Sequence, residues 1–316
     1  MDFSPWHSVK NAASLFSILD SDFCRMRDKY VNGLPILQAS PSLIVASDYS
    51  GESKKSPFQV LSFLLVGIDD CLVWNKVRSN FRENFFSNNR RMAFKNLNDN
   101  QRKQALLPFL KIADQLPGIL FTIAIDNTID TLFEGNAPLD LNNPDFQAFR
   151  SWKPEVLEKA FRIVHLTAFL VAGFSFPNQN ILWFSDEDSI VANFSRLTQL
   201  TNIFSSVLSG YLNHDLNHIR CGTTKNDDGT FLIEDLTSVP DIVAGAINEQ
   251  LILSQDEPEF QNIFWLLRPD FTNKTSSITR WLSDVNQPLK RYFCVVRPQK
   301  APHLFNVSWF HFFNQD

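Results

Sequence analysis

Glycine is scarce in this chain, with only 10 among 316 residues. So few glycines argue against the glycine-loop chemistry that cradles nucleotide phosphates. Cysteine is sparse too. Cys24, Cys71, Cys221 and Cys294 lie far apart with no C-x-x-C pair, which argues against a disulfide framework and a zinc ribbon and points to reduced, buried thiols. There is no surplus of positive charge: 29 Lys and Arg stand against 34 Asp and Glu, a formal net charge of -5. Any phosphate-rich partner must then be met by a local basic surface. Long apolar runs are missing as well. The best candidate, residues 164–176, is too short to span a bilayer and contains His165. The opening MDFSPWHSVK lacks the basic-then-apolar order of a signal peptide. A cytoplasmic protein without membrane contact is expected.

What the chain has in plenty is phenylalanine, 30 residues, within an apolar fraction of 44%. That supports a sizeable core. The length suits one elaborated α/β domain with helical insertions. Three stretches are expected: an amphipathic helical lead-in over residues 1–40, a core over 41–255, and a C-terminal extension over 256–316 that packs on the core. In the core, LIVASD and FQVLSFLLVGIDD read as strands joined by a turn at Ser50, Gly51 and Ser53, with a third short strand at residues 71–74. Helices are expected up to about Phe86 and over 102–116, ended by Pro117-Gly118. GILFTIAID is the clearest buried strand. An acidic Asn- and Pro-rich loop over 130–151 precedes an apolar helix over 155–173, then the strand NILWFSDED and a helix over 189–211. Residues 217–222 and 230–234 suggest a hairpin about Asp227-Asp228-Gly229. A helix over 239–254, another over 278–284 and the strand-like runs RYFCVVR and LFNVSWFHFF complete the chain.

Three of these strands end in a carboxylate: Asp48, Asp126 and Asp186, the last followed by Glu187 and Asp188. A fourth acid, Asp241, is expected in the first turn of an apolar helix. Strand ends and helix starts are where α/β folds build sites. Gathered carboxylates repel and call for a cation, and hard oxygen donors suit Mg²⁺ or Mn²⁺. Two such ions can activate water and stabilise the leaving oxygen of a phosphodiester. Each acid also has an ordinary role as turn former or helix cap, so their joint occurrence carries the signal.

Residues 74–111 hold nine basic side chains against only Glu83 and Asp99, about +7 in a chain that is acidic overall. Arg78, Arg82, Arg90, Arg91 and Lys95 are the candidate nucleic-acid contacts. Trp74, Phe81, Phe85, Phe86 and Phe94 interleave with the cations as in grooves that stack bases; the alternative is a solvated helix face with aromatics buried beneath. His214 and His218 stand at i, i+4 without the Glu of a zinc-protease helix, and read as surface or helix-end histidines. Ser50 is not in a G-x-S-x-G elbow, which argues against a serine hydrolase.

The order of elements resembles the ribonuclease H-like superfamily: a three-strand meander, then helix, strand, helix, strand and a terminal helix. Asp48-Tyr49-Ser50-Gly51 is similar to the opening of a group of bacterial domains in that superfamily whose first strand ends Asp-Glu-Ser-Gly. Val239-Pro240-Asp241-Ile242-Val243-Ala244-Gly245-Ala246 is similar to their closing helix, and Lys95, Asn98 and the strand into Asp126 add to the likeness, over about residues 42–252. The resemblance implies a ribonuclease H-like mixed sheet flanked by helices. It also implies a Mg²⁺- or Mn²⁺-dependent nuclease with Asp48, Asp126, Asp186 and Asp241 as metal ligands and catalytic residues. Tyr49 departs from the group's Glu. Glu83, the only acid in the first core helix, is a weaker candidate ligand beside its reading as a helix ion pair. The expected partner is nucleic acid. The alternatives are a catalytically weak or inactive module that binds nucleic acid, a protein or a second copy, and a hydrolase of small phosphoesters.

Overall fold

The computed structural model describes residues 4–53, 55–86, 90–133, 149–186, 190–254, 271–284, 286–301 and 304–310. Glu187, Asp188, residues 134–148 of the acidic loop and the last residues of LFNVSWFHFF lie outside them. One seven-stranded sheet organises the chain, in the order β5-β4-β1-β2-β3-β6-β7. The strands are β1 (Ser42–Ser50), β2 (Phe58–Gly67), β3 (Gly118–Asp126), β4 (Asn180–Ser185), β5 (Ile219–Thr223), β6 (Lys290–Pro298) and β7 (Phe305–Phe310). β2 runs antiparallel to β1 and β3, whereas β4 pairs parallel to β1 and β5 parallel to β4. The block β3-β2-β1-β4-β5 is therefore an antiparallel meander extended by two parallel strands. With helices on both faces it is the ribonuclease H-like arrangement that the element order implies. β6 joins β3 in parallel and β7 closes that edge antiparallel to β6.

Side chains alternate across a strand, and both faces here are apolar. Leu43, Val45, Leu61, Phe63, Phe121 and Ile123 face α1 (Leu15–Lys29), α4 (Pro154–Phe174) and α5 (Phe194–Tyr211). On this side Trp6 stacks on Phe23 and lies over Gly173 of α4, where a β-carbon would stand 2.1 Å from the ring. The other face presents Ile44, Ala46, Val60, Leu64, Leu120 and Ala124 to α2 (Leu72–Phe85), α3 (Asn100–Ala113), α6 (Leu232–Ser254) and α7 (Asn273–Ser283). Burial on both faces explains why the strands read as continuous apolar runs.

Several sequence expectations are corrected. The third strand of the meander is β3; residues 72–74 open α2 instead. No hairpin forms about Gly229. Asp227 caps α6: its carboxylate accepts from the N–H groups of Phe231, Ile233 and Glu234. α6 therefore begins at Leu232, with Pro240 inside it, and Asp241 sits in its third turn rather than its first. The four cysteines are free thiols. Among the described residues no helix is long and apolar enough to cross a membrane.

Candidate metal and nucleic-acid site

The face covered by α6 is the one that receives the acids. Asp48 follows Ala46 and Asp126 follows Ala124 at the two-residue strand period, so both belong to that face. The parallel register pairs Ser47 with Ser185. Asp48 and Asp186 are each the next residue, Asp48 still within β1 and Asp186 just past the end of β4. The carboxylate of Asp48 accepts from the backbone N–H of Tyr49 at 2.6 Å.

Asp126 is not brought to the same place. Asp48 pairs with Ser62, and Ser62 with Thr122. Asp126 lies four residues beyond that level and two strands away, roughly 16 Å from Asp48 along the sheet. Its carboxylate accepts from the N–H and hydroxyl of Thr128 at 2.9 and 2.7 Å, the ordinary work of an Asp that forms a turn. The Arg297 guanidinium lies within its electrostatic reach.

α6 carries Asp241 over this face. Its carboxylate accepts from the backbone N–H of Phe94 at 3.0 Å. Burial pushes its pKa up to about 6, and the negative charge of Asp186 adds to the rise, while Phe94, Arg91 and Lys95 oppose it. Glu234, two helical turns earlier on α6, is also pushed up, first by burial and then by the charges of Asp227 and Asp186. The sequence reading missed Glu234. Its signal was the seven-residue spacing to Asp241, which sets both acids on one helix stripe, hidden because the helix was begun too late.

Arg91 joins these acids. Its two terminal nitrogens bond the two oxygens of Asp186 at 3.0 and 2.7 Å, a bidentate fork. Those bonds, with the nearby charges of Asp186, Glu234 and Asp241, hold its pKa above the ordinary arginine value against partial desolvation. Thr224, just after β5, adds a hydroxyl at 3.3 Å to the same carboxylate. As the side chains stand, no three His, Cys, Asp or Glu groups among the described residues converge on one ion position. The donors have the right chemistry for a hard cation, and Asp48, Asp186 and Asp241 share one face. The Asp186 carboxylate, however, is taken by Arg91.

The basic segment divides into two groups. Arg78 and Arg82 are corrected as nucleic-acid contacts: both are buried, and both bond the fully buried Asp235 of α6, at 2.9 Å from Arg78 and at 2.6 and 2.7 Å from Arg82. Arg82 also stacks on Phe231, 4.2 Å from the ring centre. Trp74, Phe81 and Phe86 are buried beneath α2, so they offer no stacking surface for bases. Arg90, exposed and 3.5 Å from Asp99, and exposed Lys95 remain available at the rim. Glu83 is exposed on α2, one residue from the inward-facing Arg82. His214 bonds the Ser175 hydroxyl at 3.0 Å and His218 is exposed. Tyr49 packs on the opposite face of the sheet, its hydroxyl 2.6 Å from the Ser47 oxygen and its ring 5.2 Å from the Lys159 ammonium. An acid at that position would start from the face away from α6.

No protein-family model matches the chain, and no curated protein matches it. Among solved structures it is similar to the ribonuclease H2 from Pyrococcus horikoshii OT3, at 13% sequence identity and a TM-score of 0.35, over 77% of this chain and 86% of that one.

Proposed function

We propose that the protein is a divalent-metal-dependent nuclease acting on RNA or DNA, a divergent relative of the bacterial ribonuclease H-like group that opens with Asp-Glu-Ser-Gly. One observation carries the reading: Asp48 and Asp186 each follow the Ser47–Ser185 pair of two adjacent parallel strands, on the sheet face covered by the helix that bears Asp241, and the charge of Asp186 reaches Asp241. Carboxylates that raise one another's pKa are the usual partners of Mg²⁺ or Mn²⁺. Asp48, Asp186 and Asp241 would hold the ion. When bound, such an ion supplies electrophilic stabilisation of phosphate charge. The chain supplies the rest: α6 holds Asp241 half-buried over the sheet, and Arg90 and Lys95 at the rim attract the phosphate backbone. Asp126 is left out of this set.

The test is cleavage of end-labelled single- and double-stranded RNA and DNA with Mg²⁺ or Mn²⁺. The expected result is cutting that chelation abolishes and that Asp48→Asn or Asp241→Asn lowers by about 100-fold or more, with Asp126→Asn near wild type. Cutting that survives Asp48→Asn and Asp241→Asn overturns the proposal. A second reading, a catalytically weak or inactive module that still binds nucleic acid, is favoured by the Arg91 fork, which already neutralises Asp186. Its signature is salt-sensitive oligonucleotide binding with no cleavage at any metal concentration.

A further inference from the structure

The segment between α2 and α3 is fastened at four successive points. Arg82 donates to the carbonyl of Arg90 at 3.3 Å, Arg102 to the carbonyl of Arg91 at 2.8 Å, and the Ser238 hydroxyl to the carbonyl of Met92 at 2.7 Å. The N–H of Phe94 then donates to Asp241 at 3.0 Å. Arg82 is itself locked by buried Asp235. The backbone of Arg91 is thus held from α2, α3 and α6 together. Only its side chain is left to move, and that chain delivers a guanidinium to the carboxylate of Asp186, the residue that follows β4.

We propose that Arg91 is a resident counter-ion that competes with a divalent cation for Asp186, so that the site takes up metal only as the guanidinium leaves. The inference rests on the metal-site reading above. A bidentate fork takes one lone pair of each carboxylate oxygen and sets its charge against the group, so an ion ligated by Asp186 meets the guanidinium as a rival for the same negative charge. Two positive groups on one carboxylate also repel each other. Both side chains of the pair are 31% exposed, so the long arginine stem can swing into solvent while its backbone stays fastened. The arrangement keeps the acids compatible with a folded, metal-free state, and it makes metal affinity a property set by one residue that is not itself a ligand.

The experiment is calorimetric titration of Mn²⁺ into the full chain, stripped of metal by chelation, for wild type, Arg91→Met, Arg91→Gln and Arg91→Lys. Thermal melting checks that each variant is folded. Arg91→Met and Arg91→Gln are expected to bind Mn²⁺ at least about tenfold more tightly than wild type, the scale of a lost charge-assisted bond pair. Arg91→Lys should fall between, because a point charge replaces the fork. Adding Asp186→Asn to Arg91→Met should remove the gain. Equal affinity in wild type and the folded Arg91→Met variant overturns the counter-ion role and leaves the metal site standing. If no variant binds Mn²⁺, the counter-ion role and the metal reading fall together.

Discussion

Asp235 is fully buried and holds two buried guanidinium groups, those of Arg78 and Arg82. Asp235→Asn would leave both cations without their counter-charge, and breaking a buried pair in this way costs about 3–5 kcal/mol. Urea unfolding should record that loss, whereas Arg90→Ala at the exposed rim should leave the midpoint unchanged within error. At this scale the sequence is least legible. Arg78 and Arg82 belong to a charge run that looks solvent-facing, and their partner lies more than 150 residues away, where no local pattern announces it. Asp126 meets the same limit: an Asp ending a strand looks alike whether it caps a turn or faces a site. His165 offers a pH test. Burial pulls its pKa down to about 4, below the unfolded value of about 6.5. The unfolded chain then binds the extra proton between these values, so stability is full above pH 6.5 and falls as pH drops towards 4, by up to roughly 3 kcal/mol. Asp241, pushed up to about 6, titrates with the opposite sign. The quantity to follow is therefore the difference between wild type and His165→Gln in denaturant unfolding across pH 4–7, and a flat difference contradicts the burial of a neutral ring.

Among the elements, α6 decides the site. Its true start was obscured by two local signals that tertiary structure overrides. Pro240 suggested a first turn, yet it lies inside the helix, and the Asp-Asp-Gly run suggested a hairpin, yet Asp227 caps the helix and Phe231 takes the left-handed conformation at φ 61°. The strands fared better, because continuous β-rich apolar runs bounded by turn residues have few other uses. Residues 72–74 were the exception, a short apolar run whose helical continuation through Phe81 decided the outcome. α6 also holds the 90–94 segment through Gly245, where a β-carbon would stand 2.3 Å from the Phe94 ring. Gly245→Ala should therefore push Phe94 away and strain the bond from its N–H to Asp241. An overpacking cost of about 1–3 kcal/mol is expected, accompanied by faster amide exchange at Phe94 than in wild type. A variant of unchanged stability and exchange would show that the helix and the segment are not coupled.

On the scale of the whole molecule, the sheet order is what converts distant residues into neighbours. β4 follows β1 by about 130 residues yet lies beside it in parallel, so Ser47 and Ser185, the residues before Asp48 and Asp186, pair. The ordering β3-β2-β1 instead carries Asp126 two strands away. The first two strands of the meander and its parallel extension are legible in the sequence, whereas its third strand is β3 and not residues 71–74. Arg91 stands out in the sequence only as a candidate nucleic-acid contact; its fork on Asp186 is not legible there, because it comes from a loop whose path only packing determines. The claim on which the account depends is that Asp48, Asp186 and Asp241 share a divalent ion. A crystal of the full chain soaked in Mn²⁺, with anomalous diffraction collected at the manganese edge, tests it most directly. The account predicts an anomalous peak bounded by those three carboxylates, with the Arg91 fork swung off Asp186. A map without a peak at saturating Mn²⁺, with the Arg91–Asp186 pair intact, would contradict it.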